Sequence, residues 1–170
     1  MKRIPMSLKL TQQSYTREWS ARPVTPKDAD DLAILLYAAF RGTTDDEGEP
    51  FSAAILEIEK TMGGDYGQLL SECSFVIRRG EFIASACLIS WYEPLNSPFV
   101  VFSMTRPEYK KQGMARFLLQ KSINTLLERG YSTLALIVTD GNLPAQYLYS
   151  SLDFEPLLST DMPPSSSKPN

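Results

Sequence analysis

Two rhythms of apolar residues alternate along the chain, one with helical spacing and one in short unbroken runs. Ala21 to Thr25 predicts a first strand, and Thr25-Pro26-Lys27-Asp28 predicts a helix start, with Thr as N-cap, Pro at the first position and Asp early. Leu32, Leu35, Leu36, Ala39 and Phe40 follow on one helical face, and Gly42 ends that helix. Pro50 opens a second helix with Ile55, Ile58 and Met62 on one side, broken by Gly63, Gly64 and Gly67. Cys73 to Ile77 and Phe82 to Trp91 predict strands on either side of a hairpin turn at Arg79-Gly80-Glu81. A strand at 99–105 comes next, then a helix from Gly113 to about Arg129, stopped by Gly130. Leu134 to Val138 is apolar throughout, as in a strand covered on both faces. Asn142 to Leu152 predicts a last helix and Phe154 to Leu158 a last strand. The order is β-α-α-β-β-β-α-β-α-β: an α/β fold with a mixed sheet and helices on both faces.

Outside these elements, residues 1 to about 18 are polar without helical periodicity and read as a flexible arm or an added strand. Residues 159–170 form a Ser/Pro-rich tail expected to be disordered, which leaves a single domain over 19–158. At 170 residues and 43% hydrophobic content, that domain can bury a sizeable core. A net charge of −3 without a basic stripe argues against nucleic acid as a partner. The apolar run through Ala33 to Phe40 is too short to span a bilayer, and no signal-peptide pattern opens the chain. Two cysteines, Cys73 and Cys87, make no disulfide framework and read as small buried hydrophobes, so a cytoplasmic location is expected.

The chain has no histidine, which excludes Ser-His-Asp and Cys-His hydrolysis, histidine-ligated zinc and histidine general bases. Acid–base work falls to Tyr, Asp, Glu, Lys, Cys, the substrate or water. The richest chemistry lies between Phe99 and Ala115. There a buried strand ends at Pro107, and Lys110-Lys111-Gln112-Gly113-Met114-Ala115 turns into a helix. A helix start aims free N–H groups and partial positive charge outward, and Gly113 lets a ligand approach the backbone. Such a turn suits a phosphate or pyrophosphate.

Two motifs in order give the chain a family resemblance from about residue 21 to 158. Lys110-Lys111-Gln112-Gly113-Met114-Ala115 is similar to a pyrophosphate loop of the form Arg/Gln-x-x-Gly-x-Gly/Ala. The stretch from Asn142 through Ala145, Leu148 and Tyr149 to Asp153-Phe154 resembles an Asn-x-x-Ala-x-x-Leu-Tyr helix leading into a Gly-Phe strand start. Together they resemble the GNAT superfamily of acyl-CoA-dependent N-acetyltransferases. Lys110 stands for the usual Arg or Gln and keeps a cation without the Arg fork. Asp153 stands for Gly, and Asp tolerates a left-handed turn.

The resemblance implies a mostly antiparallel sheet that splays between its fourth and fifth strands, with acetyl-CoA in the gap. Met104, Thr105 and Arg106 match the strand that pairs with the pantetheine arm, and Asn142 matches a hydrogen-bonding partner of that arm. Lys110, Lys111, Gln112, Gly113, Met114 and Ala115 match the pyrophosphate site. An amine, of a small molecule or a peptide, then attacks the thioester directly, and Tyr149 matches the general acid that protonates the leaving thiolate. Read from spacing alone, Tyr149 is more simply a core tyrosine like Tyr147, and it is the motif match that favours the acid. No metal is implied, and family members often form homodimers. No general base stands out; Glu72 and Asp65 remain by elimination.

The loop Thr43-Thr44-Asp45-Asp46-Glu47-Gly48-Glu49 holds four carboxylates between the first two helices. Asp45, Asp46 and Glu47 are candidates to attract a cationic acceptor. The plainer reading is a solvated loop whose charges favour the helix opened by Pro50. Arg41 keeps amino-acid-like acceptors open. Arg116 reads as a surface residue within reach of a CoA phosphate, and Trp19 and Trp91 as packing residues. The alternative to an enzyme is a non-catalytic acyl-CoA-binding sensor or scaffold with the same fold. A P-loop nucleotide site is disfavoured because its Lys-Ser/Thr pair is absent.

Overall fold

Strand β4 (Phe82–Tyr92) is apolar over most of its length because both of its faces are covered. Ala84, Cys87 and Ile89 turn to one hydrophobic cluster, while Ile83, Ala86 and Leu88 turn to another. The computed structural model describes residues 2–158, and within them seven strands form one sheet in the order β2-β3-β4-β5-β6-β1-β7. The remaining strands are β1 (Arg3–Lys9), β2 (Arg22–Pro23), β3 (Phe75–Arg79), β5 (Ser97–Thr105), β6 (Thr133–Thr139) and β7 (Glu155–Pro156). All neighbours are antiparallel except β5 and β6. The expected mixed, mostly antiparallel sheet is therefore present, and the two clusters place the core on both of its faces. The tail expected from 159 to 170 lies outside the described residues.

Helices α1 (Ala29–Phe40) and α2 (Phe51–Gly63) cover one face, and α3 (Met114–Glu128) with α4 (Leu143–Ser151) the other. In α1 the expected stripe Leu32, Leu35, Leu36 and Ala39 is buried. The Asp28 carboxylate holds the start of that helix, accepting two bonds of 2.8 Å from the Arg22 guanidinium and one of 2.8 Å from the Thr25 N–H. In α2 the inner face is not the expected Ile55, Ile58 and Met62. It is Ala54, Ile58 and Thr61, with Ile55 exposed. Thr61 is tolerated inside because its hydroxyl donates to the Glu57 carbonyl at 2.8 Å.

Two boundary expectations also change. Cys73 sits in a short turn before β3 rather than in a strand, and the last strand is only two residues long. The N-terminal segment is paired over residues 3–9: β1 lies between β6 and β7, with Met6 and Leu8 in the core. Among the described residues no helix is long and apolar enough to cross a membrane.

Behind α2 the chain presses against the end of β4. Gly67 has φ +99°, and a Cβ there would overlap the Trp91 carbonyl oxygen, in rigid backbone. Gly67→Ala is expected to cost at least about 2 kcal/mol of stability through strain and overlap together. Urea denaturation measures it, and an unchanged midpoint would contradict this packing.

Candidate active site

The parallel pairing of β5 and β6 is confined to Phe99 opposite Ala135. Beyond that point β5 follows β4 instead, with a register shift that leaves Val101 as a one-residue bulge between Val100, opposite Ile89, and Phe102, opposite Leu88. The two strands part, and a cavity of about 630 Å³ opens between Val100–Ser103 and Leu136–Thr139. Asn142 and Tyr149 of α4 line it from one side, and α1, α2 and the acidic loop from the other.

The strand's main-chain groups are only partly available. Arg106 N–H donates to the Ala84 carbonyl at 2.8 Å, and its own carbonyl accepts from Tyr109. Both main-chain groups of Arg106 thus already have a protein partner, where the resemblance implied a group open to a ligand; its side chain pairs with Glu108 and lies over Phe82. The Met104 carbonyl accepts from the Ser85 hydroxyl at 3.1 Å. Alternation along an antiparallel strand then turns the main-chain groups of Thr105 and Ser103 towards the gap.

Where β5 ends, Pro107–Tyr109 makes a single tight turn and the chain enters α3 through two left-handed residues, Lys111 (φ 65°) and Gly113 (φ 86°). Such a φ is routine for glycine and uncommon for lysine. No protein atom lies within 4 Å of a Cβ placed on Gly113, so that side of the turn is open. The first intrahelical bond runs from Phe117 N–H to the Gly113 carbonyl, and the N–H groups ahead of it project from the helix start. Met114 is buried, so its side chain anchors the turn from below. Lys110 and Lys111 are exposed, and among the described residues neither forms an ion pair. Arg116 donates to the Ser151 hydroxyl and ties α3 to α4.

Asn142 caps α4, its side-chain oxygen accepting from Ala145 N–H at 3.4 Å. Tyr149 is buried against Phe154 in an edge-on contact and lines the cavity, whereas Tyr147 is 76% exposed and is no model for it. Burial pushes the Tyr149 phenol up to about 12, helped by the nearby Cys87 thiol and Asp45 carboxylate and opposed by a hydrogen bond with Ser103. The phenol is thus held protonated. Asp153 takes the left-handed conformation (φ 74°) that closes the helix, as the sequence requires of it.

The acidic loop divides its labour. Asp46 accepts from the Gly42 and Gly48 N–H groups, which lower its pKa, so it staples the loop itself. Glu49 likewise accepts from Glu47 N–H. Asp45 instead accepts from the Thr139 hydroxyl at 2.7 Å, at the end of β6 and inside the cavity. Glu57 also lines the cavity and accepts from the Tyr66 hydroxyl at 2.5 Å. It was missed because the inner face of α2 is turned by one residue. With Ala54 and Thr61 inward, Glu57 lies on the edge of that face. Glu72 and Asp65 do not line the cavity.

The Acetyltransferase (GNAT) family model matches residues 30–154, and the chain belongs to that family. No curated protein matches it significantly in sequence. Among solved structures, it is similar to a GCN5-related N-acetyltransferase from Sphaerobacter thermophilus (TM-score 0.68, 18% identity, 91% of this chain and 48% of that one). It is also similar to the ribosomal-protein-S18-alanine N-acetyltransferase of Escherichia coli (0.63, 20%, 85% and 86%). A GNAT family acetyltransferase from Brucella melitensis in complex with acetyl-CoA matches too (0.60, 14%, 89% and 92%). The chain spans about half the length of the Sphaerobacter protein.

Burial also raises Cys87 to about 12 and Cys73 to about 11, above ordinary values of 9 for a thiol and 10 for a phenol. The folded state therefore holds protons that the unfolded chain releases first. That contribution to stability is complete below about pH 9 and is lost as pH rises towards 12. The melting temperature is expected to fall steadily from pH 9 to 11. A flat profile would contradict the burial of these three groups.

Proposed function

We propose that this chain is an acetyl-CoA-dependent N-acetyltransferase acting on a primary amine. The observation that carries the reading is Tyr149, a buried phenol that lines a cavity opened by the parting of β5 and β6.

The residues present fit acetyl-CoA. The uncapped N–H groups at the start of α3, the open side of Gly113 and the charges of Lys110 and Lys111 suit a pyrophosphate. The backbone of Ser103 and Thr105 and the amide of Asn142 suit an extended pantetheine chain. When bound, acetyl-CoA supplies an acyl group activated as a thioester. Tyr149 then holds a proton at its phenol oxygen for the sulfur that acyl transfer releases. Asp45 is the carboxylate whose charge reaches Tyr149, and its bond to Thr139 fixes it at the cavity wall. It draws the acceptor in as an ammonium ion and takes up the proton that the amine must lose. Asp46 and Glu47 contribute negative potential at the mouth and no contact of their own.

Release of free thiol from acetyl-CoA, followed across a panel of primary amines, tests the reading. Tyr149→Phe is expected to lower kcat by about 100-fold or more while the Kd for acetyl-CoA stays within about twofold. Equal kcat values would remove Tyr149 from the chemistry. Asp45→Asn is expected to raise the acceptor KM about tenfold or more without changing acetyl-CoA binding; an unchanged KM would remove Asp45 from the acceptor site. Tight acetyl-CoA binding without transfer to any amine would favour an acyl-CoA sensor.

A further inference from the structure

Between β1 and β2 the chain crosses α3 as a strap, and buried polar residues on α3 hold it there. Asn124 accepts from Gln13 N–H at 2.7 Å and donates to the Gln13 carbonyl and the Tyr15 hydroxyl, each at 3.1 Å. Gln120 donates to the Ser14 carbonyl and the Gln13 side chain, each at 3.3 Å. Both are 6% exposed, and the Tyr15 ring packs edge-on to Phe117 at 5.0 Å. Polar side chains buried in a helix need partners, and here the partners are the strap's own backbone.

The strap runs towards the start of α3 and delivers Arg17 there. Its guanidinium donates to the Gln112 carbonyl at 3.2 Å, within the anion-binding turn, and lies 4.3 Å from the Trp19 ring centre. Arg79, from the end of β3, lies 5.5 Å from the same centre. Two guanidinium ions thus share one indole, and Arg17 joins it to the turn that carries Lys110 and Lys111. Among the described residues none of the four forms an ion pair. Gathering like charges that have no ion-pair partner costs energy, which a bound anion offsets.

We propose that Arg17 and Arg79 form a second phosphate subsite on the rim of the turn, for the 3′-phosphate of CoA. This rests on the acyl-CoA reading given above. The charges match: the diester pyrophosphate carries about two negative charges, and a phosphomonoester about 1.5 to 2 more near neutral pH. Two lysines at the turn and two arginines beside it supply one cation for each. The division also suits the groups, because a phosphomonoester offers three terminal oxygens to a guanidinium fork. Arg17 lies outside residues 30–154, the part that defines the family, so this subsite belongs to the strap of this chain.

Calorimetric titration of the full chain with CoA and with 3′-dephospho-CoA tests it. The wild type is expected to bind CoA at least tenfold more tightly. Arg17→Ala and Arg79→Ala should each weaken CoA by about tenfold or more and leave dephospho-CoA within twofold. Arg79→Ala leaves the strap intact, so it decides the matter even where Arg17→Ala unseats the strap. Equal wild-type affinities for the two ligands would overturn the subsite. So would equal losses for both ligands in Arg79→Ala. Binding of neither ligand would overturn the acyl-CoA reading along with it.

Discussion

The parting of β5 from β6 is the constraint on which the rest of the site depends. Two parallel strands would ordinarily continue as neighbours and satisfy one another's main-chain groups. Here they form one ladder pair, Phe99 and Ala135, and then diverge. The bulge at Val101 sets the divergence, because an inserted residue bends and twists the strand that carries it. The sheet stays stable despite the gap because β5 remains laddered to β4, and β6 to β1, along most of their lengths. A permanent opening in the middle of a sheet is costly as architecture alone. It makes sense as a slot for an extended ligand that can complete both edges.

What surrounds the slot follows from where β5 ends. The strand leads directly into the turn at Lys110–Gly113, so the open edge of β5 and the free N–H groups at the start of α3 are continuous along one stretch of chain. Tyr149 reaches the far side of the slot because α4 starts straight after β6 and is capped by Asn142. Burial then fixes the chemistry available to the tyrosine. Its proton is retained across the physiological range, which suits a donor and rules it out as a base. Among the carboxylates that line the cavity, Asp46 and Glu49 are taken up by N–H groups of their own loop, whereas Asp45 is tied to Thr139 on β6 and Glu57 to Tyr66.

Much of this was legible in the sequence because local signals agreed with one another. Pro107, Gly113 and the apolar periodicity of α3 all point to the same turn, and the Asn142–Tyr149 spacing marks the helix that faces it. The residues that were not legible are those where two patterns compete. Ile55 and Ile58 suggest one face of α2, yet the sheet accepts Ala54 and Ile58, and Glu57 comes into the cavity with that rotation. In β1 the alternation of Ile4, Met6, Leu8 and Leu10 is a strand signal, interrupted by Pro5. The Leu157 N–H donates to the Pro5 carbonyl, so the main-chain groups of Pro5 face the short β7 side and its missing N–H removes no bond to β6. Lys111 takes a left-handed conformation that no local rule assigns to lysine, and the division of roles between Asp45 and Asp46 depends on Thr139, far away in the chain.

Amide hydrogen exchange with and without acetyl-CoA tests the central claim most directly, because it reads the main chain of the slot itself. The account predicts slowed exchange at Ser103 and Thr105 on the open edge of β5 and at Gly113 through Arg116 at the start of α3. Amides in β1 and β3, which are paired already, should change little. Unchanged exchange at both β5 and the turn, at saturating acetyl-CoA, would contradict the assignment of the gap as an acyl-CoA site.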